Sequence, residues 1–90
     1  MLVSDLVRGL HSNMRRNILR LLSEKDRTAV EIYRELKEDA PKFRQSVNKA
    51  LEILRGQGFV NKYYDMNREA LYYQIVKREY HINLKDMSVE

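Results

Sequence analysis

Residues 41–76 read PKFRQSVNKALEILRGQGFVNKYYDMNREALYYQIV, and this stretch decides the fold. Phe43, Val47, Ala50, Leu51 and Leu54 recur at spacings of three and four, which lays one apolar stripe along a helix. Lys42, Arg44, Gln45, Asn48, Lys49 and Arg55 fall outside the stripe and make a polar, mostly cationic face. Gly56 and Gly58 stop the helix, and FVNKYY opens a strand. ALYYQIV follows after the polar loop Asp65-Met66-Asn67-Arg68-Glu69. Two such aromatic and β-branched runs around a short polar loop predict a β-hairpin. A helix with one buried face and one Arg/Gln/Asn/Lys face can meet phosphates and base edges together.

Towards the start of the chain, Leu2, Val3, Leu6, Val7 and Leu10 repeat at three and four and predict a short helix, loosened at its end by Gly9 and His11. Ser12 suits the N-cap of a second helix, NMRRNILRLLSEK, with Met14, Ile18, Leu21 and Leu22 on one face and Leu19 on another. Glu24 to Arg27 reads as a polar connection. Thr28 and Glu31 have capping-box spacing and start AVEIYRELKED, whose core positions are Ala29, Ile32, Tyr33 and Leu36. Asp39-Ala40-Pro41 breaks that pattern, and Pro41 fits the first turn of the next helix. In the tail KREYHINLKDMSVE, Tyr80, Leu84 and Met87 suit a helix, whereas Tyr80, Ile82 and Leu84 alternate like a strand; a short helix is the expectation. Short helices joined by a turn, the second one basic and followed by a hairpin, predict a winged helix-turn-helix: mainly α, with a small β-hairpin wing, in one domain over residues 1–90.

A net charge of +4 suits a polyanionic partner, while 43% hydrophobic and 33% charged residues fit a folded soluble domain. A chain of 90 residues buries only about 60–65% of its unfolded surface, and dimerisation is a common remedy for the shortfall. The absence of cysteine removes disulfides, thiolate metal sites and thiol nucleophiles, and is compatible with a reducing compartment. MLVSDLVRGL carries Asp5 and lacks a basic leader, so no signal peptide is expected. No apolar run approaches the roughly 20 residues of a membrane span. The expectation is a cytoplasmic protein that is no enzyme and carries no cofactor. No Cys/His pair, Ser/His/Asp order, glycine-rich phosphate loop or HExxH helix is present.

The segments RRNILRLL (15–22), TAVEIYREL (28–36), SVNKALEILRGQGFV (46–60) and ALYYQI (70–75) together resemble the ArsR-like winged-helix transcriptional regulators, over roughly residues 10 to 76. That resemblance implies a homodimer on a partly palindromic double-stranded DNA operator, with the recognition helix in the major groove and the wing beside the backbone. It places the base-facing positions at Arg44, Gln45, Ser46, Asn48 and Lys49. The chain departs from the family twice. KEDAPKF is several residues longer than the usual turn, and VEIYREL lacks the metal-sensing thiols. His81 and Asp86 do not reproduce the spacing of the family's C-terminal zinc site, so no metal ligands are assigned. The sequence does not identify a small-molecule or metal effector.

Beyond the helix, Lys62 and Arg68 stand near the hairpin loop, where they could reach a flanking phosphate or minor groove, although Asp65 and Glu69 dilute their charge. Tyr63, Tyr64, Tyr72 and Tyr73 fit a stacking platform for single strands or, by alternation, core packing of about half of them. Arg15, Arg16 and Arg20 fit either backbone contacts or a solvated face. Leu2, Val3, Leu6, Val7 and Leu10, with Tyr80, Leu84 and Met87, carry more apolar surface than a small domain needs, and predict a dimer interface. The competing function is a winged helix used for protein–protein interaction within a larger transcription or repair assembly.

Overall fold

The computed structural model describes residues 1–36 and 44–90. Expectations for Lys42, Phe43 and the turn ahead of Pro41 lie outside the described residues. Four helices come first: α1 (Val3–Leu10), α2 (Asn13–Glu24), α3 (Ala29–Leu36) and α4 (Arg44–Gly56). An antiparallel hairpin of β1 (Val60–Asp65) and β2 (Ala70–Ile75) follows, then a smaller one of β3 (Ile82–Asn83) and β4 (Ser88–Val89). The architecture is mainly α with a small β element.

Local chemistry fixes where the helices start and stop. Ser12 Oγ accepts the Arg15 N–H at 3.3 Å and caps α2. At α3 the capping box is reciprocal: Glu31 N–H donates to Thr28 Oγ1 at 3.2 Å, and Thr28 N–H donates to Glu31 Oε1 at 3.4 Å. Past the end of α4, Gly58 takes a φ of 85°, which a side chain would oppose. The Phe59 N–H reaches back to the Leu54 carbonyl at 2.9 Å and the Gly58 N–H to Arg55 at 3.1 Å. Those two bonds are a Schellman motif, and its hydrophobic contact is Phe59 with Leu54, both buried. The helix therefore turns into β1 with Phe59 driven inward.

The core forms where the three-and-four stripes converge. Ile18 and Leu22 of α2, Ile32 of α3, and Val47, Leu51 and Leu54 of α4 have no exposed surface. β2 lies against α2 and α3, and β1 against α4. Gly9 lets α1 approach Phe59 closely: a Cβ there would stand 2.1 Å from Phe59 Cε2.

The segment read as a polar connection does more than connect. Arg27 pairs with Tyr73 through both backbone hydrogen bonds, at 3.2 and 2.8 Å, so β2 has a neighbour on each side. Its side chain turns inward, 3% exposed. It donates to the Leu21 carbonyl at 3.1 Å and pairs with Glu24 at 2.8 Å and Glu35 at 2.9 Å. One guanidinium thus joins the end of α2 to α3 while its backbone holds β2.

The tail is the main departure from the sequence expectation. The short helix over Tyr80 to Met87 is replaced by the β3–β4 hairpin, in which Ile82 pairs with Val89 and Asn83 with Ser88. The physical reason is local and tertiary at once. Asn83 Oδ1 accepts the Lys85 N–H at 2.9 Å and Asp86 Oδ1 the Ser88 N–H at 3.0 Å, side-chain bonds that compete with a helix. The start of the chain supplies a further strand partner: Val89 N–H donates to the Met1 carbonyl at 3.0 Å, and Val3 N–H to Met87 at 3.3 Å.

Candidate nucleic-acid interface

The same spacing that buries Val47, Ala50, Leu51 and Leu54 turns the rest of α4 outward. Arg44, Gln45, Asn48 and Lys49 are exposed, and Ser46 is half-buried. A groove lies on each side of this face. Towards α2, a concavity of about 320 Å³ is lined by Ser46, Lys49 and Ile53 with Met14 and Arg15. Towards the hairpin, one of about 380 Å³ is lined by Asn48, Glu52, Lys62 and Leu71. The structure thus brings the α4 residues and Lys62 onto one continuous surface. Among the described residues Arg44, Lys49 and Lys62 form no ion pair. Arg44 is steadied instead by the Tyr33 ring, 5.8 Å from its guanidinium carbon, and Lys62 by Tyr73 at 5.6 Å.

Glu52 is an anion on this cationic face. Partial burial raises its pKa, but hydrogen bonding and charge from Arg55, the Tyr73 hydroxyl and nearby Lys62 together outweigh that and hold it below the usual carboxylate value. Arg55 Nη2 lies 3.2 Å from Glu52 Oε1, and Tyr73 Oη donates to Oε2 at 3.2 Å. Glu52 therefore stays ionised and repels phosphate while remaining able to accept from a base amino group. Its place on the polar face follows from spacing alone, four residues after Asn48, and the sequence reading passed over it.

The hairpin is anchored at its other face. Tyr63 stacks on Tyr72 with centroids 5.9 Å apart and planes at 21°. Arg68 sits 5.4 Å from the Tyr72 ring and 3.9 Å from Asp65 Oδ2. The Tyr63 hydroxyl donates to Asp26, which pushes its pKa up to about 12, and Gln74 Nε2 donates to the same carboxylate at 3.4 Å. Asp26 is not visible as a functional position in the sequence, because its partners Tyr63 and Gln74 lie tens of residues away, and the same holds for the pairing of the Arg27 backbone with Tyr73. The four tyrosines divide by strand and not by alternation. Tyr72 and Tyr73 are buried on opposite faces of the inner strand β2, whereas Tyr63 and Tyr64 on β1 are exposed. Four free rings on one platform are not present.

Arg15 and Arg16 have a structural task. Arg15 donates to the carbonyls of Gly9 at 3.3 Å and Arg8 at 2.9 Å, and Arg16 to that of Leu10. Together they cap the C-terminal end of α1, where cations are favoured. Arg20 bonds Asn17 Oδ1 at 2.8 Å.

The eight positions expected at a dimer interface separate into two sets. Leu6 belongs to the chain's own core, and Val3, Leu10 and Tyr80 pack against it. Leu2, Val7, Leu84 and Met87 stay exposed, joined by Ile82. Among the described residues, no cluster of three His, Asp or Glu side chains could hold a metal ion, and no helix is long and apolar enough to cross a membrane. Compared with known protein families and with curated proteins, the chain matches none.

Proposed function

We propose that this chain is a sequence-specific double-stranded DNA-binding transcriptional regulator of the winged helix-turn-helix type, acting as a homodimer. The observation that carries the reading is the outer face of α4. Two side-chain amides and two cations, free of ion pairs among the described residues, project from a helix whose opposite face is buried. Gln45 and Asn48 can each pair bidentately with adenine, and Arg44 and Lys49 with guanine. In this reading α3 and α4 form the helix-turn-helix and α4 enters the major groove. The β1–β2 hairpin is the wing, with Lys62 and Arg68 beside the backbone. Leu2, Val7, Ile82, Leu84 and Met87 supply the apolar surface for a second copy, which sets two recognition helices about 34 Å apart.

The test is selection of bound sequences from a random DNA pool, followed by affinity measurement against salt. A dimer that neutralises about 6–10 phosphates loses roughly 10³–10⁵ in affinity between 50 and 200 mM salt. Enrichment of no sequence, or a binding curve flat in salt, overturns the proposal.

One observation favours the protein-interaction reading. Met66, Tyr64 and Leu71 are exposed near the hairpin tip, beside the acids Asp65 and Glu69. An apolar tip ringed by both signs of charge suits a protein surface better than a phosphate backbone. A monomer by light scattering that ignores DNA and binds a partner through this tip would establish that alternative.

A further inference from the structure

Between α2 and the segment that follows β2 lies a cleft of about 310 Å³, and it shares no residue with the two grooves beside α4. Its apolar lining comes from Leu10, Leu19, Phe59, Ile75 and Tyr80. Leu19 is the residue that falls off the α2 stripe; it packs against the edge of the main core and also lines this cleft. Four cations complete the lining, Arg16 and Arg20 from α2 with Lys77 and Arg78 from beyond β2, and no carboxylate is among the lining residues.

Among the described residues none of the four cations forms an ion pair. Each is held by a neutral group: Arg16 by the Leu10 carbonyl and Asn13, Arg20 by Asn17 Oδ1. Arg78 Nε donates to the Ser23 carbonyl at 3.1 Å, and Lys77 Nζ stands 5.7 Å from the Tyr80 ring centroid. Neutral acceptors orient a guanidinium without cancelling its field, and each arginine keeps N–H donors to spare. Four like charges around one low-dielectric concavity repel one another and attract a single anion. The volume lies at the lower end of the range for small-molecule sites, and an apolar wall with a few convergent polar groups is their usual composition.

We propose that this cleft binds a small soluble amphipathic monocarboxylate, its apolar body on Phe59, Ile75 and Leu19 and its carboxylate between Arg78, Lys77 and the α2 arginines. Apolar burial supplies contact area, and charge-assisted hydrogen bonds select the anion over a neutral analogue of equal length. The ligand bridges α2 to residues 77–80, which lead into the β3–β4 hairpin.

Calorimetric titration of the intact chain with octanoate, octanol and acetate tests this, with anionic phospholipid vesicles as a separate arm. Octanoate should saturate one site per chain, with octanol at least about tenfold weaker because it lacks the charge. Acetate, which has no apolar body, should not bind. Lys77→Gln and Arg78→Gln, each checked for an unchanged unfolding temperature, should each weaken octanoate by about threefold or more and leave octanol unchanged. Lys25→Gln, exposed and outside the cleft, should leave octanoate binding unchanged. Octanoate binding no tighter than octanol, no saturation, or octanoate affinity in both cleft variants equal to that of the unsubstituted chain overturns the proposal. Capture by vesicles without octanoate binding overturns it as well, in favour of a membrane surface. None of these results bears on DNA binding by α4, so the two proposals fail separately.

Discussion

Replacing Gly9 by Ala sets two effects against each other, and the structure predicts which wins. In an ordinary helix interior the change stabilises by about 0.5–1 kcal/mol through backbone entropy. At Gly9 the new Cβ meets Phe59 Cε2 at 2.1 Å and Cζ at 2.6 Å, where carbon atoms normally rest about 3.5–4.0 Å apart. One partner must therefore move by more than about 1 Å. Phe59 is held: its N–H bonds Leu54, its carbonyl accepts the Val76 N–H at 3.0 Å, and its ring meets Tyr80 edge-on at 5.6 Å. The helix α1 has to give way. Overpacking of this kind costs about 1–3 kcal/mol, which leaves a net loss of up to about 2.5 kcal/mol, centred near 1 kcal/mol, after the helix gain. For a domain of this size a loss near 1 kcal/mol lowers the unfolding temperature by roughly 4–8 °C. Far-UV circular dichroism on heating, with urea unfolding alongside, measures it. Gly56→Ala is the control, because an added Cβ there meets nothing within 4 Å, and it should raise the unfolding temperature. If Gly9→Ala were as stabilising as Gly56→Ala, the docking of α1 on Phe59 would be refuted.

Three further outcomes are expected. Arg27→Ala should destabilise by about 1.5–3 kcal/mol in urea, below the full penalty for a broken buried pair because Glu24 and Glu35 are themselves 64% and 47% exposed and can return to water; Arg27→Met, which keeps the packing, should lose less, and equal losses would remove side-chain packing from the explanation. Gln45→Ala or Asn48→Ala should relax base preference by about 1–3 kcal/mol per lost bidentate pair, whereas Lys62→Ala or Arg68→Ala should weaken all sequences alike; identical behaviour of the two groups in competition binding would overturn the assigned roles. Tyr63 keeps its proton in the folded state up to about pH 12 and loses it near pH 10 when unfolded. Its contribution to stability is therefore complete below about pH 10 and lost as pH rises through about 12. Tyr63→Phe should flatten that alkaline loss in urea unfolding, and an unchanged slope would remove the Asp26 bond as its cause.

Whatever depends on spacing within one element was legible in the sequence. Ser12, Thr28 and Glu31 mark the helix starts at which they are found, and the stripe from Val47 to Leu54 is buried as its period requires. Positions whose role comes from distant partners were not legible. Arg27 sits in a polar run, and only the fold shows Leu21, Glu24, Glu35 and Tyr73 closing around it. The tail was ambiguous because the same apolar residues satisfy both periods. The two hairpins nonetheless close alike, although only the Asx residue of each turn is visible in the sequence. In the first hairpin Asp65 Oδ1 accepts two backbone N–H groups and the loop ends on Glu69 with φ 54°; in the second, Asn83 plays the Asp65 part and Met87, φ 56°, the Glu69 part. An Asx residue followed four positions later by a left-handed residue closes both turns. The candidate interface was legible at α4, where spacing also places Glu52, whereas the Asp26 anchor on the opposite face of the hairpin depends on Tyr63 and Gln74.

The backbone bonds joining residues 1–3 to 87–89 have a kinetic consequence. They close a loop of roughly 85 residues, against about five for a hairpin, and the added closure cost is about 2.5 kcal/mol. Few hydrogen bonds and the burial of Leu6 and Val89 reward that closure. The patch made by α1 and the β3–β4 hairpin should therefore assemble last and open first, as one cooperative unit. Its amides should exchange with solvent earlier than those of α2 and α4. In the open form α1 no longer covers the ring of Phe59, so a brief local excursion exposes apolar surface to other molecules without global unfolding.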